Sequence, residues 1–256
     1  MQDLQETSQN NAVQVDNADG AGRVLILCEH ASHHIPAMFG DLGLSDADKI
    51  SHAAWDPGAF AMAQLISDAL DAPLVSSQVS RLVYDCNRPP EAASAMPEQS
   101  ELVTIPGNKG LSQAQRRARV DAYYAPFCIA VQDIIATRKP RALVTVHSFT
   151  PVYFGNARLT EIGILHDRDR RMADTMLTAA TASKFTVERN QPYGPEDGVT
   201  HSLRLHGVQN GIPNVMLELR SDLIATPVQQ RDMAEALLNL LHPALNELEA
   251  TDAASD

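Results

Sequence analysis

The chain has 256 residues, is 44% hydrophobic but only 5% aromatic, and carries a formal charge of −12. That length suits one α/β domain or two small ones, with a core built on Ala, Leu, Ile and Val. No apolar run nears the roughly 18 residues of a membrane span, and no basic cluster with interleaved aromatics interrupts the acidic background, so neither a membrane nor a nucleic acid is an expected partner.

The opening MQDLQETSQNNAVQVDNADGAG (1–22) is polar and acidic, without the basic and apolar regions of a signal peptide, and reads as a disordered arm. VLILC (24–28) reads as a buried strand that runs into Glu29 and His30. PGAFAMAQLISDALDA (57–72) has helical spacing, and PLVSSQVS (73–80) reads as a second strand. The segment 112–139 is a long helix broken or kinked at Pro126, and its Arg116, Arg117 and Arg119 read as a solvated face. Strands follow at 141–148 and 161–166, a helix at 169–183, a strand at 185–190 and a helix at 200–211 that closes on Gly211. A strand at 214–220 and a helix at 227–250 end the pattern, leaving TDAASD (251–256) as a frayed tail.

Strands alternating with helices predict a mostly parallel, mixed central sheet covered on both faces: a three-layer α/β/α sandwich in a single domain over 23–250. Three loops, 81–111, 149–160 and 190–199, are long and rich in Pro, Gly or polar residues. Three cysteines, Cys28, Cys86 and Cys128, form no CxxC pattern. An odd, sparse count suggests reduced thiols and a cytoplasmic location.

In open α/β sheets, ligands sit beyond the carboxyl ends of the strands. Here the first strand ends in Glu29-His30, the strand 141–147 in His147-Ser148, and the strand 214–220 carries Glu218 and Arg220. Asp56 precedes a helix, where a loop could bring it to the same edge. Imidazoles and carboxylates from separate strands are the donor set of a catalytic zinc site, although dispersed ligands are a weaker signal than a local HExxH. Plainer readings stand beside this one. Asp56 could cap the helix with Pro57 at its first position. Glu218 and Arg220 share a strand face and could form an ion pair. His33 and His34 read as loop residues. Alternation turns Glu29 to the face opposite His30. In SRLVYDCNRPP (80–90), Arg81, Asp85, Asn87 and Arg88 could recognise a carboxylate or simply bridge one another on a surface loop. In YGPEDGVTHSLRLHG (193–207), His201 and Arg204 lie one turn apart on a helix that is either a substrate contact or an amphipathic surface.

CEHAS-x-x-x-IP, W-D-x-G-A, SR-x-V-x-D-x-NR, VHSFTP, DGVTHSL and LELRSDL, in that order over about 24–225, resemble the N-formylglutamate amidohydrolase family. The resemblance implies a fold related to zinc carboxypeptidases and aspartoacylase, and hydrolysis of the N-acyl amide of a small acidic amino acid with one Zn²⁺ per chain. By motif, His30 and His147 look like metal ligands and Asp56 the third, with Glu29 or His33 as alternatives. Glu218 looks like the general base. Asp85, Asn87 and Arg88 match an Asn-Arg element that holds a substrate carboxylate and polarises the scissile carbonyl, with Arg81 assisting. His201, Arg204, Arg220 and Ser148 are further candidate substrate contacts. The Glu-His-Ala-Ser start departs from the Pro-His-Ser-Gly of the histidine-degradation enzyme, which opens the choice of acyl group and amino acid. A zinc carboxypeptidase, a peptidoglycan amidase and a non-catalytic small-molecule-binding protein on the same fold are the alternative readings.

Overall fold

The computed structural model describes residues 12–253. The strands, in chain order, are β1 (Val13–Asp16), β2 (Val24–Cys28), β3 (Leu74–Ser77), β4 (Gln99–Ser100), β5 (Val103–Thr104), β6 (Ala142–Phe149), β7 (Val152–Tyr153), β8 (Asn156–Ala157), β9 (Ile162–Leu165), β10 (Val187–Arg189) and β11 (Asn214–Arg220). Seven of them form one sheet in the order β1-β3-β2-β6-β11-β9-β10, while β4-β5 and β7-β8 are separate hairpins. The pairs β3-β2, β2-β6, β6-β11 and β9-β10 are parallel; β1-β3 and β11-β9 are antiparallel. The sheet is therefore mixed and mostly parallel, as the alternating pattern predicts.

Alternation explains why VLILC is buried throughout. Val24, Ile26 and Cys28 face Met62 and Ile66 of the helix Ala59–Leu70 and Leu237 and Leu241 of the closing helix Pro227–Ala253. Leu25 and Leu27 face Phe127 and Val131 of the helix Ala125–Arg138. Each such side chain removed from water contributes about 1.5–3 kcal/mol, so both helical layers are anchored through the same five residues.

Several local expectations need correction. Part of the expected disordered arm is structured: β1 pairs with β3, Val13 opposite Ser77, and Ala12 is buried. Main-chain hydrogen bonds to an open sheet edge order a segment whose composition alone reads as disorder. The first eleven residues of the expected arm lie outside the described residues. The closing helix continues to Ala253, so part of the expected frayed tail is helical, and the last three residues also lie outside the description. Pro126 does not break its helix; a wide π-turn over Val120–Tyr124 precedes it and lets the helix run on. The expected helix 200–211 is present over 201–210 and closes on Gly211 as predicted, but it widens into a π-turn over Leu203–Gly207 and ends in a 3-10 turn over Val208–Asn210. Among the described residues, no helix is long and apolar enough to cross a membrane.

Candidate metal centre and substrate cavity

The carboxyl ends of β2, β6 and β11 bring the predicted chemistry together. Register sets the placement: Glu218 of β11 pairs with His147 of β6. Glu29 draws level with His147 two residues beyond the Leu27–Thr145 pair. His30 follows at the mouth of the loop, and its carbonyl accepts the Asp56 N–H (3.0 Å), fastening the two chain segments side by side.

Asp56 does not cap the helix. Gly58 does so at a φ of 84°, and the helix starts at Ala59. The carboxylate of Asp56 instead turns inward and is 1% exposed. Its Oδ2 lies 3.2 Å from His30 Nδ1 and 3.0 Å from His147 Nδ1, and the two Nδ1 atoms are 3.2 Å apart. Three donors on a tetrahedral zinc, at bond lengths of 2.0–2.1 Å, stand roughly 3.3 Å from one another. The triangle therefore fits a divalent cation, and His30, Asp56 and His147 are the group that could hold one.

The far side of each imidazole is backed by a carboxylate. His30 Nε2 donates to Asp85 Oδ1 (2.7 Å), which also accepts the Asn87 N–H (2.8 Å). His147 Nε2 lies 3.2 Å from Glu29 Oε2. The His30–Asp85 bond places that ring's proton on Nε2 and leaves Nδ1 as the lone-pair donor, while at His147 the nearby Glu29 charge favours a proton on Nε2 without a hydrogen bond between them. Glu29 is thus a buried support behind His147 rather than a residue turned away from the site, because it shares a level and a sheet face with His147. His33 and His34 are exposed, and His33 packs its ring against Trp55.

Charge follows the same division. Burial pushes Asp56 up, but His30 and Arg81 outweigh it and hold its carboxyl well below the usual range. Burial likewise loses to His30 and Arg88 at Asp85 and to His147 at Glu29. Glu218 is the exception. Burial, reinforced by the Asp56 charge, outweighs His147 and pushes it up to about 7. Its Oε2 is buried with no hydrogen-bond partner, and no ion pair with Arg220 forms. Arg220 spends its guanidinium on Asp222, Glu161 and the Arg158 carbonyl.

A cavity of about 790 Å³ opens over the triangle and is lined by Glu218, Arg81, Arg88, Ser148 and Arg158 among others. Arg81 is committed to its neighbours: Nη1 donates to Asp56 Oδ1 (3.1 Å), Nε to the Ala53 carbonyl (3.0 Å) and Nη2 to the His52 carbonyl. It braces a ligand candidate. Ser148 donates its hydroxyl to the Pro57 carbonyl (2.9 Å) and its N–H to Asp56 Oδ2 (3.2 Å). Asn87 is spent too: Nδ2 donates to the Val199 carbonyl (2.6 Å) and Oδ1 accepts the Ser202 N–H (3.0 Å). It staples the 199–202 turn to the site. Among the described residues, the Arg88 guanidinium donates only to the Asn87 carbonyl (2.8 Å). His201 and Arg204 do not line the cavity; His201 pairs with the Tyr124 hydroxyl (2.7 Å) and Arg204 points toward Asp167 (3.8 Å).

The sequence reading passed over His52, which donates from Nε2 to the Ser148 carbonyl (2.5 Å) and whose pKa burial and Arg81 push down to about 4. It also passed over Arg158 and Tyr193 in the loops. Their signal was only that 149–160 and 190–199 are long.

The model of the N-formylglutamate amidohydrolase family matches residues 22–225. The chain belongs to the N-formylglutamate amidohydrolase family. Among solved structures, a gene product of Agrobacterium tumefaciens is 53% identical, with a TM-score of 0.92 over 95% of this chain and 98% of that one. An N-formylglutamate amidohydrolase from Ralstonia eutropha JMP134 is 17% identical, with a TM-score of 0.66 over 92% of this chain and 98% of that one, and shares the fold. A comparison with curated proteins returned no match. Membership makes the chain an N-formylglutamate amidohydrolase-like hydrolase of amide bonds, and the matched span is that of the motifs read from the sequence.

Proposed function

We propose that this chain is a metal-dependent amidohydrolase that cleaves the N-acyl amide of a small acidic amino acid, with N-formylglutamate as the representative substrate, in a reducing, cytoplasmic compartment. The observation that carries the reading is the juxtaposition of a ligand-spaced His30–Asp56–His147 triangle with Glu218, a buried carboxylate that has one oxygen unpartnered and a pKa near 7.

Zinc suits the mixed imidazole and carboxylate donors, and when bound it would acidify water and polarise the acyl carbonyl. The chain's own groups do the rest. Asp85 and Glu29 hold the two imidazoles in one tautomer, and Arg81 and the Ser148 N–H hold the Asp56 carboxylate in one orientation. Glu218 removes a proton from the attacking water at its free Oε2 and returns it to the leaving amide nitrogen. A base poised near neutrality is suited to both transfers. Arg88, with one protein acceptor for five donors, offers its guanidinium to the substrate carboxylate or the developing oxyanion.

The test is metal analysis together with hydrolysis of N-formylglutamate and other N-acyl amino acids, by wild type and Glu218→Gln, before and after chelation. The expected result is one metal per chain, loss of activity on chelation with recovery on re-addition, and at least a hundredfold loss on substitution. Activity that survives chelation, or that the substitution leaves intact, refutes the mechanism.

A further inference from the structure

The connection between β6 and β9 carries a second cation into the same cavity. In the β7–β8 hairpin Tyr153 pairs with Asn156, and the two residues between them, Phe154 and Gly155, both have positive φ, 45° and 78°. That is the two-residue turn whose twist suits a hairpin. The Arg158 N–H donates to the Pro151 carbonyl (2.9 Å) and closes it. The Arg158 side chain then folds back over its own hairpin. Its guanidinium carbon lies 4.4 Å from the Tyr153 ring centre, 4.9 Å from that of Tyr193 and 5.4 Å from that of Phe149. Nη2 donates to the Tyr193 hydroxyl (2.8 Å) and Nη1 to the Thr150 carbonyl (3.4 Å). Two acceptors therefore serve five donors, and among the described residues no carboxylate pairs with Arg158.

A guanidinium confined by three rings has little rotamer freedom left to lose, and its planar fork suits a carboxylate. The cavity also needs a second anion contact if its substrate is an N-acyl acidic amino acid, which carries two carboxylates. The residues expected to supply it are occupied or elsewhere. Asn87 is consumed by Val199 and Ser202, Arg81 by Asp56 and the 52–53 carbonyls, Arg220 by Asp222 and Glu161, and Arg204 lies outside the cavity. Of the three arginines that line the cavity, only Arg88 and Arg158 lack a carboxylate partner among the described residues.

We propose that Arg158 is the specificity-determining residue of this cavity, taking the side-chain carboxylate of a dicarboxylic N-acyl amino acid while Arg88 takes the α-carboxylate. This rests on the amidohydrolase reading for the choice of substrate, and its test is arranged to fail separately. Titration calorimetry compares N-formylglutamate with N-formylglutamine on Glu218→Gln protein, with and without Arg158→Met, and with Arg158→Lys as the variant that keeps the charge and loses the fork. Removal of Arg158 is expected to weaken N-formylglutamate binding about 10–100-fold and N-formylglutamine binding less than about 3-fold, with lysine intermediate. A merely structural role in the hairpin would weaken both ligands alike, and that result overturns the proposal. So does a failure of N-formylglutamate to bind the parent protein, or a preference that survives both substitutions. If Arg158→Met does not fold, the lysine variant decides by the same comparison. Wild-type protein that discriminates the two ligands through Arg158 yet hydrolyses neither would refute the amidohydrolase reading and leave the assignment of Arg158 standing.

Discussion

Asp85 offers the sharpest test of how the imidazoles are held. Its Oδ1 accepts from His30 Nε2 at 2.7 Å and from the Asn87 N–H at 2.8 Å, in a site where Asp85 is 6% exposed. Asp85→Ala strands two buried donors at once. Each lost acceptor costs about 1–3 kcal/mol, so the metal-free protein is expected to lose about 2–6 kcal/mol in urea unfolding. Asp85→Asn keeps an acceptor oxygen and removes only the charge. It should lose at neutral pH the stability that the depressed carboxylate contributes there, though less than the alanine variant loses, while the imidazole becomes a poorer donor and metal affinity is expected to fall about 10–100-fold. Competition with a chromophoric chelator measures that shift. The sign of the pH effect follows from the depressed carboxyl. Asp85 contributes stability above its unfolded value of 3.8 that is lost as pH falls through its folded one. The asparagine variant should therefore lose part of the acid-side slope. Wild-type metal affinity in Asp85→Asn, or an alanine variant destabilised by less than about 1 kcal/mol, would show that the Asp85–His30 contact does not hold the ring.

Glu218 predicts an acidic limb in kcat/KM that rises through about pH 7, because the base must be ionised, and that limb should vanish with Glu218→Gln. Its raised folded value also predicts that metal-free wild type loses stability between its unfolded value of 4.5 and about 7, so Glu218→Gln should be the more stable protein at pH 8, by a few kcal/mol at most, and no more stable at pH 4. Identical denaturation curves for the two at pH 8 would refute the assignment. Asn87→Ala should lower Tm and raise amide exchange across 199–202, since it leaves the Ser202 N–H without its acceptor, and unchanged exchange there would count against the staple. Arg220→Ala should leave kcat/KM within about 3-fold and cost about 1–2 kcal/mol, because it removes two partly exposed ion pairs and one bond to the Arg158 carbonyl and no group that the mechanism uses; a hundredfold loss of activity would restore it to the cavity.

The layers and the strand-end chemistry were legible because each rests on a local rule. A run such as VLILC must lie inside a two-faced sheet, and a histidine at the end of such a run is carried to the sheet's edge with it. The support behind each histidine was not legible. Alternation sends Glu29 away from His30, as predicted, but only the pairing of β2 with β6 shows that the same turn aims it at His147. Asn87 and Arg81 line the cavity, but how far their polar groups are engaged within the fold was not legible, for a related reason. A sequence shows donors and acceptors, and a distant carbonyl such as that of Val199, 112 residues away, decides whether they are free. Arg158 was hidden inversely. No recognisable motif surrounds it in sequence, and its role emerges only when the hairpin folds it over Tyr153 and the 190–199 loop brings Tyr193 alongside.

Four buried carboxylates share this site, and their surroundings separate their tasks. Asp56 faces both imidazoles and Arg81, Asp85 faces His30, and Glu29 faces His147; each has a partner whose positive charge keeps it ionised and engaged. None of these three is free to take a proton without breaking the contact that positions a ligand. Glu218 faces the same cavity from the next strand, with Oε2 unpartnered and burial unopposed by any hydrogen bond to that oxygen. Among these four carboxylates, only Glu218 is pushed up rather than down, and strand order places it. β11 lies beside β6 but not beside β2, so Glu218 stands level with His147 yet leaves its Nε2 to Glu29, which approaches from the opposite neighbour. An exchange that keeps charge but moves it, Glu218→Asp, should thus retain a raised pKa while withdrawing the base by one methylene. The expected loss is in kcat with KM nearly unchanged, and a variant that instead lost metal at unchanged kcat per bound ion would mean that Glu218 belongs with the ligands.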